Sequence, residues 1–135
     1  MSAELSQSAS IWPQPATEID AAAERIAGVV TPTPLDFCER LSATTGANVY
    51  LKREDLQTVR SYKLRGAYNL LIQLSDDEIA AGVVCSSAGN HAQGFAYACR
   101  ALGIHGRVYV PIKTPKQKRD RIRYHGGGFI ELIVG

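Results

Sequence analysis

The sequence predicts an α/β fold built on a parallel sheet with flanking helices, and three observations carry that expectation. Short apolar stretches recur at Gly82–Cys85, Arg107–Val110 and Phe129–Val134. Helical patterns run between them, from about Asn90 to Leu102 and from Pro115 to about Tyr124. A small-residue turn, Ser86-Ser-Ala-Gly89, joins the first strand to its helix. Strands separated by helices of this length pair in parallel, because a right-handed crossover returns the chain to the same edge direction.

The elements before the sheet are read in order. Residues 1–16 are rich in Ser, Gln and Pro with little periodicity and read as a mobile leader. Residues 17–135 read as the folded part. Thr17 opens Thr-Glu-Ile-Asp, an N-cap followed by early acids, and Ile19, Ala22, Ala23 and Ile26 recur at helical spacing. The helix is expected to stop before Thr31-Pro-Thr-Pro34, since each proline forces its predecessor into an extended conformation. Asn48–Lys52 reads as a strand. Leu64, Ala67, Leu70, Leu71 and Leu74 mark the apolar face of a second helix, and Ser75 with Glu78 forms a capping box for a third.

In the later region, the helix from Asn90 is expected to bury Ala92, Phe95, Ala96 and Cys99. Gly126-Gly-Gly128 follows a helix and precedes a strand, the reverse of the order an anion-binding loop requires, so it reads as a helix C-cap and turn.

Composition narrows the function classes. Fifteen basic residues against 13 acidic ones leave a net charge of +2, too small for a general polyanion binder. At 45% hydrophobic and 21% charged the chain is an ordinary globular sequence. A length of 135 residues suits one domain of modest core or part of a larger one. Apolar runs fall far short of the roughly 18 residues that span a bilayer, and the first residues lack the charged and apolar regions of a secretory signal. Cys38, Cys85 and Cys99 are odd in number and show no CxxC spacing, which disfavours a disulfide framework and a zinc site. No metal is expected. Reduced, buried thiols fit a cytoplasmic protein.

Two segments could carry chemistry. Ser86-Ser-Ala-Gly-Asn-His-Ala-Gln-Gly94 follows a strand and opens a helix, so it aims backbone N–H groups and the positive end of the helix dipole at one point. A carboxylate or phosphate suits that point, with Ser86, Ser87, Asn90 and His91 as side-chain donors. The segment is neither G-x-G-x-x-G nor a Walker loop, because Phe95 stands where the latter needs lysine. It equally fits a tight turn that needs small residues, with His91 a surface polar group.

The second segment centres on Lys63, at a helix start with Arg53, Arg60 and Arg65 nearby in sequence. Crowded cations, a helix N-terminus and burial disfavour an ammonium form, the condition under which a lysine becomes a usable nucleophile. A solvated basic face balanced by Glu54 and Asp55 is the plainer alternative. Lys113–Arg123 is the most basic stretch, but it lacks interleaved aromatics and reads as the polar face of a surface helix rather than a nucleic-acid patch.

Taken together, the two segments resemble a known family. Ser61-Tyr-Lys-Leu-Arg-Gly-Ala67, preceded by Lys52-Arg-Glu-Asp-Leu-Gln57, is similar to the lysine signature of fold-type II (tryptophan synthase β-like) pyridoxal-phosphate enzymes. Ser86–Gly94 resembles the substrate-carboxylate loop of their serine/threonine dehydratase branch, and Thr33-Pro-Leu35 the segment that opens the catalytic domain. The resemblance runs from about Val30 to Gly135.

It implies pyridoxal 5'-phosphate as cofactor, held by Lys63 as a Schiff base, with Lys63 also removing the substrate α-proton. Asn90 would hydrogen-bond the cofactor's ring hydroxyl. Ser87, Gly89 and His91 would hold the substrate carboxylate, largely through backbone N–H groups. The implied reaction is threonine deamination to 2-oxobutanoate and ammonia, the first step of isoleucine biosynthesis, with serine as the other candidate substrate. A homo-oligomeric full-length enzyme is implied, with neither nucleic-acid nor membrane partners.

The sequence departs from the family at Tyr62, where phenylalanine is frequent, and at Gly128, where a side chain is common. The family's phosphate-gripping glycine loop, the residue facing the pyridine nitrogen and the regulatory domain lie beyond the matched segment. Residues 17–135 are therefore expected to be the N-terminal part of a larger catalytic domain, inactive alone. The rival expectation is a non-catalytic product, either a truncated fragment or a small anion-binding module.

Overall fold

A computed structural model of the chain describes residues 15–135. The expected leader lies almost entirely outside the described residues. The first helix, α1, spans Ala16–Ile26 and begins one residue before the expected Thr17 cap. Pro15 occupies the cap position, and its carbonyl accepts from the N–H groups of Glu18 and Ile19 at 3.0 and 3.4 Å. Proline has no N–H to lose at a helix start, so the fold enters α1 there and Thr17 lies inside it.

The chain then forms an antiparallel ribbon that local pattern did not reveal. Strand β1, Leu35–Phe37, pairs with β2, Tyr50–Lys52, in the register Leu35↔Lys52. The short helix α2, Glu39–Thr45, links them. The expected strand at Asn48–Lys52 is thus shortened to three residues.

Helix α3 spans Lys63–Leu71 and buries Leu64, Ala67, Tyr68 and Leu71, a stripe at i, i+3, i+4 and i+7. Leu70 was expected on that face but is 64% exposed. Six residues after Leu64 a side chain has rotated well past the stripe, and Tyr68 takes the place assigned to it. Helix α4, Asp76–Ala81, starts with the expected capping box: Ser75 Oγ accepts from Glu78 N–H, and the Glu78 carboxylate accepts from Ser75 N–H.

From residue 83 the alternation matches the sequence closely. Strand β3 (Val83–Ser86), helix α5 (Asn90–Leu102), strand β4 (Gly106–Val110), helix α6 (Lys116–Gly126) and strand β5 (Ile130–Val134) follow in turn. The sheet order is β3-β4-β5, both pairs parallel. Gly106, Val108 and Val110 point into the core while Arg107 and Tyr109 point away. The core gathers Leu64, Phe95, Ala96, Cys99, Val108 and Ile122. Ile122 anchors α6 and is fully buried. Ile122→Ala is expected to cost about 2–5 kcal/mol, read as a lower denaturation midpoint.

The glycine run ends α6 as the sequence predicts. A Cβ on Gly126 would meet Ile130 Cγ1 at 2.3 Å, and Gly127 has φ +56°. Only glycine lets the helix end this close to β5.

Candidate active site

The turn Ser86–Gly89 lies at the C-terminal end of β3, where ligands bind in open parallel sheets. Helix α5 starts there without a side-chain cap, because its cap residue is Gly89. The N–H groups of Asn90, His91 and Ala92 precede the first intrahelical bond, which Gln93 N–H makes to Gly89 O at 3.3 Å. Ala92 is fully buried, so the uncapped helix start presents the Asn90 and His91 donors and the positive dipole end to an anion.

The neighbouring donors are already engaged. Ser87 N–H donates to Tyr109 O at 3.2 Å, extending the β3–β4 ladder. Gly89 N–H donates to Ser87 Oγ, also at 3.2 Å. Asn90 and His91 are exposed, and Ser87 and Gly89 are half-buried.

Lys63 is half-buried at the first position of α3, with its Nζ 4.8 Å from the centroid of the Tyr62 ring. Helix α3 packs mainly on α5. The two helices meet tightly at Gly94, where a Cβ would lie 3.0 Å from Lys63 C and Leu64 N and 3.1 Å from Lys63 O. Gly94 is one turn beyond Asn90, on the same face of α5. One helix face therefore carries Asn90 and meets the main chain of Lys63, bringing the two sequence segments together.

Folding removes the cation crowding expected around Lys63. Arg65 donates from Nε and Nη2 to both oxygens of Glu54, at 2.9 and 2.7 Å. Arg53 donates to Asp36 at 3.0 Å and to Asp55 at 2.9 Å. Arg60, the only non-glycine residue with positive φ among those described, reaches toward Asp55 O at 3.5 Å. The acids Glu54 and Asp55, read in sequence as a general counter-charge, are specific partners.

Glu54 is the centre of a framework that sequence reasoning missed. Besides Arg65, it accepts from Thr33 Oγ1 at 2.6 Å and from Gln57 Nε2 at 3.4 Å. The hydrogen bonds from Arg65, then those from Thr33 and Gln57, hold its carboxyl at a pKa of about 2 against burial. Gln57 is fully buried, and its amide pairs with the Thr31 main chain: Nε2 donates to Thr31 O at 2.7 Å and Oε1 accepts from Thr31 N–H at 3.3 Å. Lys52 Nζ donates to Thr33 O at 2.5 Å. The Thr31–Pro34 segment is thus clamped onto the loop leading to Lys63. A polar residue at Gln57 between Leu56 and Val59 was the available signal.

The donor set fits pyridoxal phosphate bound to an amino acid. It offers a partly buried amine, an exposed carboxamide at Asn90 and free helix-start N–H groups. Two residues before Lys63, the buried Ser61 Oγ has no partner among the described residues. Cys85 and Cys99 are buried as expected and do not compete as nucleophiles, since burial pushes Cys99 up to about 12 and Cys85 upward, whereas Cys38 is only partly buried. Among the described residues no group of three or more His, Cys, Asp or Glu could hold a metal, and no helix is long and apolar enough to cross a membrane. In the basic stretch, Lys116, Lys118, Arg121 and Arg123 lie exposed on α6 while Ile122 between them is buried, and Asp120 takes Lys116 at 2.5 Å and Arg123 at 3.7 Å.

Residues 26–134 match the model of the pyridoxal-phosphate dependent enzyme family, and the chain belongs to that family. Within it, the chain is 80% identical to the biosynthetic L-threonine dehydratase IlvA of Mycobacterium tuberculosis, over all of this chain and 32% of that protein. It is 52% identical to the enzyme of the same name from Bacillus subtilis, over 82% of this chain and 26% of that protein. Among solved structures, threonine deaminase isoform 2 from Solanum lycopersicum matches with a TM-score of 0.71 and 40% identity, over 90% of this chain and 36% of that one. Maize serine racemase matches with a TM-score of 0.77 and 33% identity, over 86% and 35%. The chain spans about a third of the length of the relatives it matches.

Proposed function

We propose that these residues form the lysine-bearing part of a pyridoxal-phosphate-dependent L-threonine dehydratase, which converts L-threonine to 2-oxobutanoate and ammonia. The observation that carries this is the approach of Gly94 to the Lys63 main chain. It joins the amine to the helix whose uncapped start bears Asn90. The 80% identity to a protein named for this activity supports the choice of substrate.

When bound, the cofactor supplies an electron sink for the pair left behind as the substrate Cα loses its proton. Lys63 Nζ would hold the cofactor and, once the substrate amine has displaced it, would take that proton as a free amine. Asn90 would hydrogen-bond the ring hydroxyl, and the turn of Ser87, Gly89 and His91 would bind the substrate carboxylate. The first-turn N–H groups of α5 lead in that task, since those of Ser87 and Gly89 have acceptors within the chain. The Tyr62 ring face lies 4.8 Å from Lys63 Nζ and helps to orient it. Reduced cysteines suit the cytoplasm, where we assign the enzyme.

Mapping of the cofactor-bearing lysine tests this reading. Borohydride reduction of the full-length enzyme with pyridoxal phosphate, followed by peptide mass analysis, should find the adduct on Lys63. An adduct confined to Lys52, Lys113, Lys116 or Lys118 would overturn it. The match to serine racemase favours serine as a second substrate. Ammonia release from threonine is expected to exceed that from serine in kcat/KM.

A further inference from the structure

Gly94 occupies an ordinary helical position, where glycine is less favourable than alanine by roughly 0.5–1 kcal/mol. Its φ does not lie in the left-handed region, so backbone conformation gives no reason for it. The reason lies across the interface. The atoms a Cβ would meet belong to the Lys63–Leu64 peptide, not to the flexible end of a side chain. Leu64 is fully buried, so that peptide is held from behind by the core. Asn90 stands one turn before Gly94 on the same helix.

We propose that Gly94 is a positioning residue: by letting α5 approach the Lys63 main chain, it sets where the Lys63 amine stands relative to Asn90 and the start of α5. This rests on the assignment of Lys63 as the cofactor-bearing lysine. A methyl group at position 94 has to displace the Lys63–Leu64 peptide by a few tenths of an ångström. The carboxylate donors travel with α5 itself and are untouched. Substrate affinity should therefore hold while the proton-transfer geometry degrades. A misplacement of about 1 Å costs on the order of 100-fold in rate, so a shift of this size corresponds to about tenfold.

The test compares Gly94→Ala with Gly126→Ala in the full-length enzyme, at a temperature where circular dichroism finds each folded. Gly126→Ala is the more crowded change, but its severe clash is with the Ile130 side chain at the start of β5, and it meets α5 only at Ala96 Cβ, 3.3 Å away and remote from the Lys63 main chain. It should lower the melting temperature and leave kinetics per folded molecule unaltered.

Gly94→Ala should lower kcat about tenfold with KM changed less than about threefold. It should also slow the appearance of the borohydride-trapped adduct on Lys63 when apoenzyme meets pyridoxal phosphate, a readout independent of turnover. A Gly94→Ala enzyme with lowered melting temperature but wild-type kcat, KM and trapping rate would give Gly94 a purely structural role and overturn the proposal. Wild-type enzyme carrying the adduct on another lysine would instead defeat the assignment of Lys63, and this inference with it.

Discussion

Replacing Lys63 with alanine in the full-length enzyme is expected to lower threonine deamination by roughly 10³-fold or more, the combined loss of a covalent anchor and a proton-transfer group. The fold should survive. The Lys63 side chain is half-buried, and its identified contact is the Tyr62 ring, a cation–π pair worth about 0.5–1 kcal/mol at an exposed site. Lys63→Arg sharpens the test because it keeps a cation beside Tyr62 yet forms no stable covalent link to the cofactor. It should be as inactive as the alanine variant while melting like the wild type. Ammonia release at the wild-type rate from either variant would refute the assignment. Activity lost only together with the melting transition would reduce Lys63 to a structural role.

The second large effect is expected at Glu54. Its carboxyl is held at about 2 against an ordinary 4.5, first by the two hydrogen bonds from Arg65 and then by those from Thr33 and Gln57. A depressed carboxyl pKa stabilises the folded state above the unfolded value and loses that contribution as pH falls through the folded one. The stability from Glu54 is therefore fully present above about pH 5 and drains away between roughly pH 4.5 and 2. Glu54→Gln is expected to cost about 2–3 kcal/mol at neutral pH, a figure reduced because Arg65 is partly exposed to solvent. Urea denaturation midpoints measured across this pH range should fall more steeply for the wild type than for the variant. Parallel pH profiles would show that the Glu54 ion pair does not support the fold. Because Glu54 also ties Thr33 to the helix that starts at Lys63, the variant should loosen the cofactor site.

Much of the architecture was legible before folding was considered. The β3-α5-β4-α6-β5 order follows from local periodicity, and the Ser75–Glu78 capping box from a four-residue pattern. The end of α6 at Gly126 follows from a glycine run placed between helix and strand. Each of these depends on residues close together in the chain. The β1–β2 ribbon was not legible, because β1 is three residues long, follows two Thr-Pro pairs, and is stabilised by a partner 15 positions away. Residue type alone places Leu70 on the buried face of α3, but helix rotation carries it out to solvent and Tyr68 is buried instead.

For the site, chemistry was visible and partnership was not. Lys63, Asn90 and the Ser86–Gly89 turn stand out by residue type at the boundaries of helices. Their arrangement hangs on the crossing of α3 over α5, and no local spacing encodes a contact between positions 63 and 94.

By itself, then, the chain's order of residues determined the strands and helices from residue 83 onward, where the uncapped helix start falls, and which amine stands at the head of α3. These are short-range consequences of backbone geometry and side-chain period. Tertiary structure alone decided that Arg53 and Arg65 are neutralised by Asp36, Asp55 and Glu54 instead of crowding Lys63. It alone set the distance at which Gly94 meets the Lys63 main chain. Charge pairing and close packing act through space, and the separations they depend on exist only once the helices have docked.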